Sequence, residues 1–146
     1  MTLRAVAVRR AGQWPVAEMR DEVVFDHDQR YRRRMRFTAI GGVDVLLDLP
    51  EAVQVRDGDA YELAEGGFIR VRAIAEPLLD VTAADADNLA VLAWHIGNRH
   101  LAAQFLPGRL RLLDDHVIAA MLTQLGGTVV RLTAPFDPEQ GAYHHG

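Results

Sequence analysis

A change of hydrophobic period near Glu76-Pro77 constrains this chain more than any other feature. Before it, apolar and polar residues alternate in short runs broken by glycine turns; after it, helical spacing and strand-like runs take turns. In RMRFTA, Met35, Phe37 and Ala39 share one face of an extended strand. Gly41-Gly42 follows, and VDVLLDL reads as the returning strand of a hairpin. Val53 and Val55, then Tyr61 and Leu63, then Ile69 and Val71 continue the alternation, separated by Asp57-Gly58 and Gly66-Gly67. Turn signals recurring at about 8 to 12 residues mark a small all-β unit. The pattern predicts a β-rich domain over residues 1–75.

Beyond the change, LLDV is a short apolar run, and Thr82 to Asp85 forms a T-x-x-D helix-start signal. Leu89, Leu92, Ala93 and Ile96 follow at helical spacing, closed by Gly97-Asn98. LAAQFL and RLRLL are strand-like and flank Pro107-Gly108. Asp114 or Asp115 suits a helix N-cap, and Val117, Ile118, Met121, Leu122 and Leu125 form one helical face ending at Gly126-Gly127. TVVRLTA is the last strand. The order β-α-β-β-α-β predicts a ferredoxin-like domain over 76–135 and an α+β protein as a whole. Residues 136–146, FDPEQGAYHHG, are expected to be a flexible tail carrying His144 and His145.

Composition removes much enzyme chemistry. With 146 residues the chain holds one ordinary domain or two small ones. It has no cysteine, which excludes disulfides, thiolate metal sites and cysteine nucleophiles. All 16 cationic residues are arginine, so no Schiff-base lysine or P-loop lysine exists. No GxSxG occurs. A net charge of −4 argues against nonspecific nucleic-acid binding. No apolar run approaches the roughly 20 residues that span a bilayer, and MTLRAVAVRR lacks a signal-peptide cleavage site. The expectation is a cytoplasmic protein bound to neither membrane nor nucleic acid.

What remains is histidine. His95 and His100 bracket the segment WHIGNRH. Five residues at about 100° each leave about 140° between them on a helix, so the two do not face one ion together. His95 falls in the last helical turn, where a cation suits the negative helix end. His100 lies beyond the turn. One imidazole is one ligand, and a divalent-metal site needs several; a symmetric dimer supplies the same residue twice, and His144 and His145 offer further donors. His116 stands beside Asp114 and Asp115 near a helix start, where aspartate usually caps. His27, between Asp26 and Asp28, reads as part of an exposed loop.

These residues resemble a known family. WHIGNRH, LAAQFLPGRLRLLDDHVIAAMLTQLGG and APFDPEQGAYHHG, preceded by RRRMRFTAIGGVDVLLDLPEAVQVRDGD, are similar in order and spacing to the UreE family of urease accessory proteins, which are nickel chaperones. The resemblance implies a peptide-binding-type N-terminal domain and a ferredoxin-like domain that dimerises and carries metal. It places His100 as the main nickel ligand, supplied by both chains of a homodimer. It gives His116 a secondary role and lets His144 and His145 add ligands, while the role of His95 is less settled. Ni(II) is the implied ion; Zn(II) and Cu(II) suit the same nitrogen donors. The implied partners are a urease accessory GTPase and the apo-urease complex. The sequence departs from relatives with an HxH at the second helix start, because Asp114 takes the first of those positions, and its tail is too poor in histidine for nickel storage.

Two other readings stand beside this one. A metal-dependent hydrolase would use His100, Asp115 and His116 around an open coordination position. A metal-independent interaction module would dock an acidic partner on Arg30, Arg32, Arg34 and Arg36, taken as one face of a strand.

Overall fold

Ten strands and two α-helices build the molecule in the computed structural model, which describes residues 1–139. The chain divides into two units, Met1–Ile74 and the residues from Ala75 on, each with a buried core of its own. The protein is α+β: an all-β first unit and a βαββαβ second unit. Among the described residues no helix is long and apolar enough to cross a membrane.

The first unit is one six-stranded sheet. Its strands are β1 (Thr2–Arg9), β2 (Met19–Phe25), β3 (Arg34–Thr38), β4 (Asp44–Asp48), β5 (Ala60–Leu63) and β6 (Phe68–Ala73), in the order β2-β6-β5-β1-β4-β3. The two hairpins follow from the turn chemistry: β3 pairs antiparallel with β4 across Gly41-Gly42, and β5 with β6 across Gly66-Gly67. Because side chains alternate along each strand, Val23, Phe25, Val45, Leu47, Tyr61, Leu63, Ile69 and Val71 all reach one core. The Asp21 side chain ties the β3–β4 turn to β2, accepting from the N–H groups of Gly41 at 2.8 Å and Val43 at 3.2 Å. Partial burial pushes its carboxyl up, and hydrogen bonds from Gly41, Glu22 and Val43 outweigh this and hold it below the usual carboxylate range.

Three expectations fail here. Val53 and Val55 do not belong to a strand: residues 52–56 have no regular structure, and the buried Val55 donates its N–H to the Arg30 carbonyl at 2.9 Å. His27 is buried rather than exposed, in a turn closed by Arg30 N–H bonding to Asp26 and His27 carbonyls. That turn also breaks the arginine row, since only Arg34 and Arg36 lie in β3. Arg30 is fully buried and donates from Nη1 to the Val55 carbonyl, while Arg32 pairs with Asp28 and Arg34 with Asp48. The four arginines therefore do not form one cationic strand face.

The second unit runs β7 (Ala75–Thr82), α1 (Ala86–Asn98), β8 (Gln104–Leu106), β9 (Arg109–Leu113), α2 (His116–Gln124) and β10 (Thr128–Pro135). The sheet order β10-β7-β9-β8, antiparallel throughout, is the ferredoxin-like arrangement. Its core joins Val81, Leu110 and Leu112 of the sheet to Leu92 and Ile96 of α1 and Leu122 of α2. Aspartates start both helices. Asp85, not Thr82, caps α1 by accepting from Asn88 N–H at 2.8 Å, and Asp115 caps α2 by accepting from Val117 and Ile118.

β8 and β10 occupy opposite edges of this sheet. The chain nevertheless returns from one to the other. After β10, Phe136 is fully buried, Asp137 N–H donates to the Gln104 side-chain carbonyl at 3.1 Å, and Glu139 pairs with Ala103. That last bridge is reciprocal, with N–H donors from Ala103 at 3.1 Å and from Glu139 at 2.8 Å.

Candidate metal centre

α1 ends in a way that singles out one histidine. Leu101 N–H reaches back to the Ile96 carbonyl at 3.3 Å and His100 N–H to the Gly97 carbonyl at 2.9 Å. These are the two bonds of a Schellman motif, which needs its C′ residue in the left-handed region. That residue is His100, with φ 60°, and among the described residues it is the one non-glycine with positive φ. α2 closes with the same pair of bonds, Gly127 to Leu122 and Gly126 to Thr123, but its C′ residue is Gly126 at φ 92°. The two helix ends form an internal comparison. Left-handed backbone costs an L-residue about 1–2 kcal/mol and glycine almost nothing. Folding alone favours glycine at position 100, and an imidazole kept there points to a use for the side chain.

His100 is solvent-exposed at this corner. His95 sits a turn earlier, partly buried, with its ring edge-on to Trp94 at 5.1 Å and 83°. Trp94 is 63% exposed and Val91 53%, so α1 carries uncovered apolar surface in the turns before His100. An apolar groove of about 520 Å³ runs between α1 and the β8–β9 hairpin, lined by Leu89, Ala90, Ala93, Phe105 and Leu110 among others.

The remaining predicted residues fall apart from one another. His116 is the first residue of α2 and exposed. Beside it, the Asp115 carboxylate is engaged with two backbone N–H groups, and Asp114 accepts from Arg131 Nε at 3.3 Å. Of the three residues of the hydrolase reading, His100, Asp115 and His116, Asp115 serves as the helix cap through its Oδ1. Among the described residues, no three His, Asp or Glu side chains are gathered to hold an ion. His144 and His145 lie outside the described residues; the chain reaches that boundary at Glu139, held against Ala103.

The left-handed geometry of His100 is the feature that sequence reading missed. Gly97 drew attention as the helix terminator, whereas the pair Ile96 and Leu101, the apolar C3 and C″ contacts of a Schellman end, marks the residue between them.

Comparison with known proteins decides the family. Residues 4–74 match the model for the N-terminal domain of UreE urease accessory protein, and residues 76–146 match that for its C-terminal domain. The chain belongs to the UreE family. It is 48% identical over 141 residues to a urease accessory protein UreE of Bradyrhizobium sp. (strain ORS 278), covering 97% of this chain and 67% of that relative. It is 45% identical over 143 residues to the UreE of Rhodobacter capsulatus, covering 98% of this chain and 88% of that one. The UreE of Beijerinckia indica subsp. indica is 46% identical over 143 residues, with 97% and 81% covered. As a UreE family member the chain is a urease accessory protein, and its place is in urease maturation.

Proposed function

We propose that this protein is a nickel metallochaperone that holds Ni(II) between two copies of the chain through His100 of each, and passes it on for assembly of the urease active site. The left-handed backbone of His100 is the observation that carries this reading, because it keeps an imidazole exposed at a position where glycine folds better. A two-fold axis supplies the second imidazole. The exposed Val91 and Trp94 beside that corner support an apolar contact between copies.

Two imidazoles leave an ion incompletely coordinated, and His144 and His145 are the candidates to fill the remaining positions, with water. His116 stands as a separate, weaker site. An open coordination sphere suits a carrier, which must release what it binds. Cu(II) and Zn(II) compete for the same donors, so supply and geometry set the metal carried. The partners proposed for transfer are a urease accessory GTPase and the apo-urease complex, in the cytoplasm.

The test is nickel titration calorimetry on wild type and on His100→Gly, the substitution that leaves the helix end able to fold. One ion per two chains is expected, with tight binding abolished in the variant. Nickel affinity indifferent to His100→Gly would overturn the reading.

A further inference from the structure

A divalent cation is held hardest where carboxylates surround it, and the corner at His100 is built the other way. The chain has 20 acidic residues, yet none lies between Asp87 and Asp114, the stretch that contains His100. The residue immediately before His100 is Arg99, the C-cap of α1, which is exposed and in no ion pair among the described residues. The fold returns two carboxylates to this neighbourhood, since Asp114 and Asp115 line a hollow of about 290 Å³ together with Leu101 and Ala102. Both are engaged, Asp114 by Arg131 Nε at 3.3 Å and Asp115 by the N–H groups of Val117 and Ile118. Glu139 meets Ala103 through its backbone. A cation at a helix C-terminus suits the negative end of the dipole, but this kind of helix end does not require one. α2 closes by the same pair of bonds with Leu125 at the position of Arg99 and no basic residue in its last turn.

We propose that Arg99 sets the affinity of the site: its guanidinium, tied by the chain to the neighbouring ligand, repels the bound ion and keeps it releasable. This rests on the reading of His100 as a metal ligand. Adjacent Cα atoms lie about 3.8 Å apart, which puts the guanidinium on the order of 8 Å from an ion on the His100 ring. An ion on a two-fold axis meets two such charges. At that distance in water, one unit charge weakens the binding of a divalent ion about sixfold when unscreened. A Debye length of about 8 Å at physiological salt reduces this to about twofold. The two arginines together weaken binding about fourfold at that salt, and about fifteenfold at about 0.01 M, where screening is slight. The repulsion acts on any divalent cation, so it governs how firmly the ion is held and not which ion is chosen.

The experiment is titration calorimetry on the full chain with nickel and, separately, with zinc, at about 0.15 M and about 0.01 M salt. Wild type is compared with Arg99→Gln, which removes the charge, and Arg99→Lys, which keeps it. Arg99→Gln is expected to bind nickel about fourfold more tightly at the higher salt and about fifteenfold more tightly at the lower. Zinc affinity should rise by the same factors, and Arg99→Lys should stay within about twofold of wild type. A variant that folds poorly loses affinity, so a gain cannot come from damage to the structure. Arg99→Gln binding no more tightly than wild type would overturn the proposal, as would a gain that is the same at both salts or is shared by Arg99→Lys. A His100→Gly control separates the two levels. If it leaves affinity unchanged, the metal-site reading fails; if it abolishes binding while Arg99→Gln gains nothing, the role of Arg99 alone fails.

Discussion

At the scale of single residues, the two helix ends set up a paired prediction. His100 and Gly126 occupy the same C′ position of the same motif, one strained and one not. His100→Gly relieves left-handed strain, partly offset by the greater freedom of glycine in the unfolded chain, so stability should hold or rise by up to about 1 kcal/mol. Gly126→Ala should cost about 1–2 kcal/mol. A Cβ at Gly126 meets nothing within 4 Å, so that cost is backbone strain without a clash. Thermal melts of both variants check the pair; a His100→Gly protein that melts well below wild type would show that the imidazole is needed for folding. Residue-scale reading of the sequence had mixed success for a physical reason. His100 stood out because its neighbours carry a recognisable pattern, and Asp115 as a cap follows from local hydrogen bonding. The burial of Arg30 and His27 depends on what packs over their turn, and no local spacing encodes that.

At the scale of elements, the sequence shows what is local and conceals what is remote. Hairpins β3–β4 and β5–β6 carry their glycine turns between the paired strands, and both helices show their spacing and caps. β1 and β2 escaped the sequence reading. Each forms a parallel pair, β1 with β4 and β2 with β6, and a parallel neighbour has no turn signal to announce it. Register produces charge pairs that are equally hidden. Asp80 on β7 stands opposite Arg111 on β9 and accepts from its Nε at 2.7 Å and Nη2 at 3.1 Å, with Arg109 also within 3.1 Å. The hydrogen bond from Arg111 outweighs partial burial and holds the Asp80 carboxyl below its ordinary range. A carboxyl whose folded pKa is depressed stabilises the fold above its unfolded value, about 3.9, and that stability is lost as pH falls through the lower folded value. Asp80→Asn should therefore cost about 1–2 kcal/mol at neutral pH and flatten the fall in stability below about pH 4. Urea melts between neutral and acidic pH read both; parallel pH profiles for variant and wild type would show that Asp80 contributes nothing to acid sensitivity.

At the scale of the whole molecule, the division at Ile74 and Ala75 separates two cores that share no residue. The first gathers the alternating residues of six strands, and the second gathers sheet, α1 and α2. Many domains of about this size fold alone. Every residue proposed for the metal site, His100, His116, His144 and His145, lies in the second. We therefore expect a fragment beginning at Ala75 to fold, to dimerise and to bind nickel with the affinity and one-per-two-chains ratio of the full chain. The fragment from Met1 to Ile74 should fold without binding nickel tightly. Circular dichroism, sedimentation and titration calorimetry on both fragments test this together. A folded second fragment that binds nickel much more weakly than the full chain would place part of the metal function on the all-β unit. An intact affinity would assign that unit to another task in urease maturation, and partner capture by the isolated first fragment becomes the measurement that identifies it.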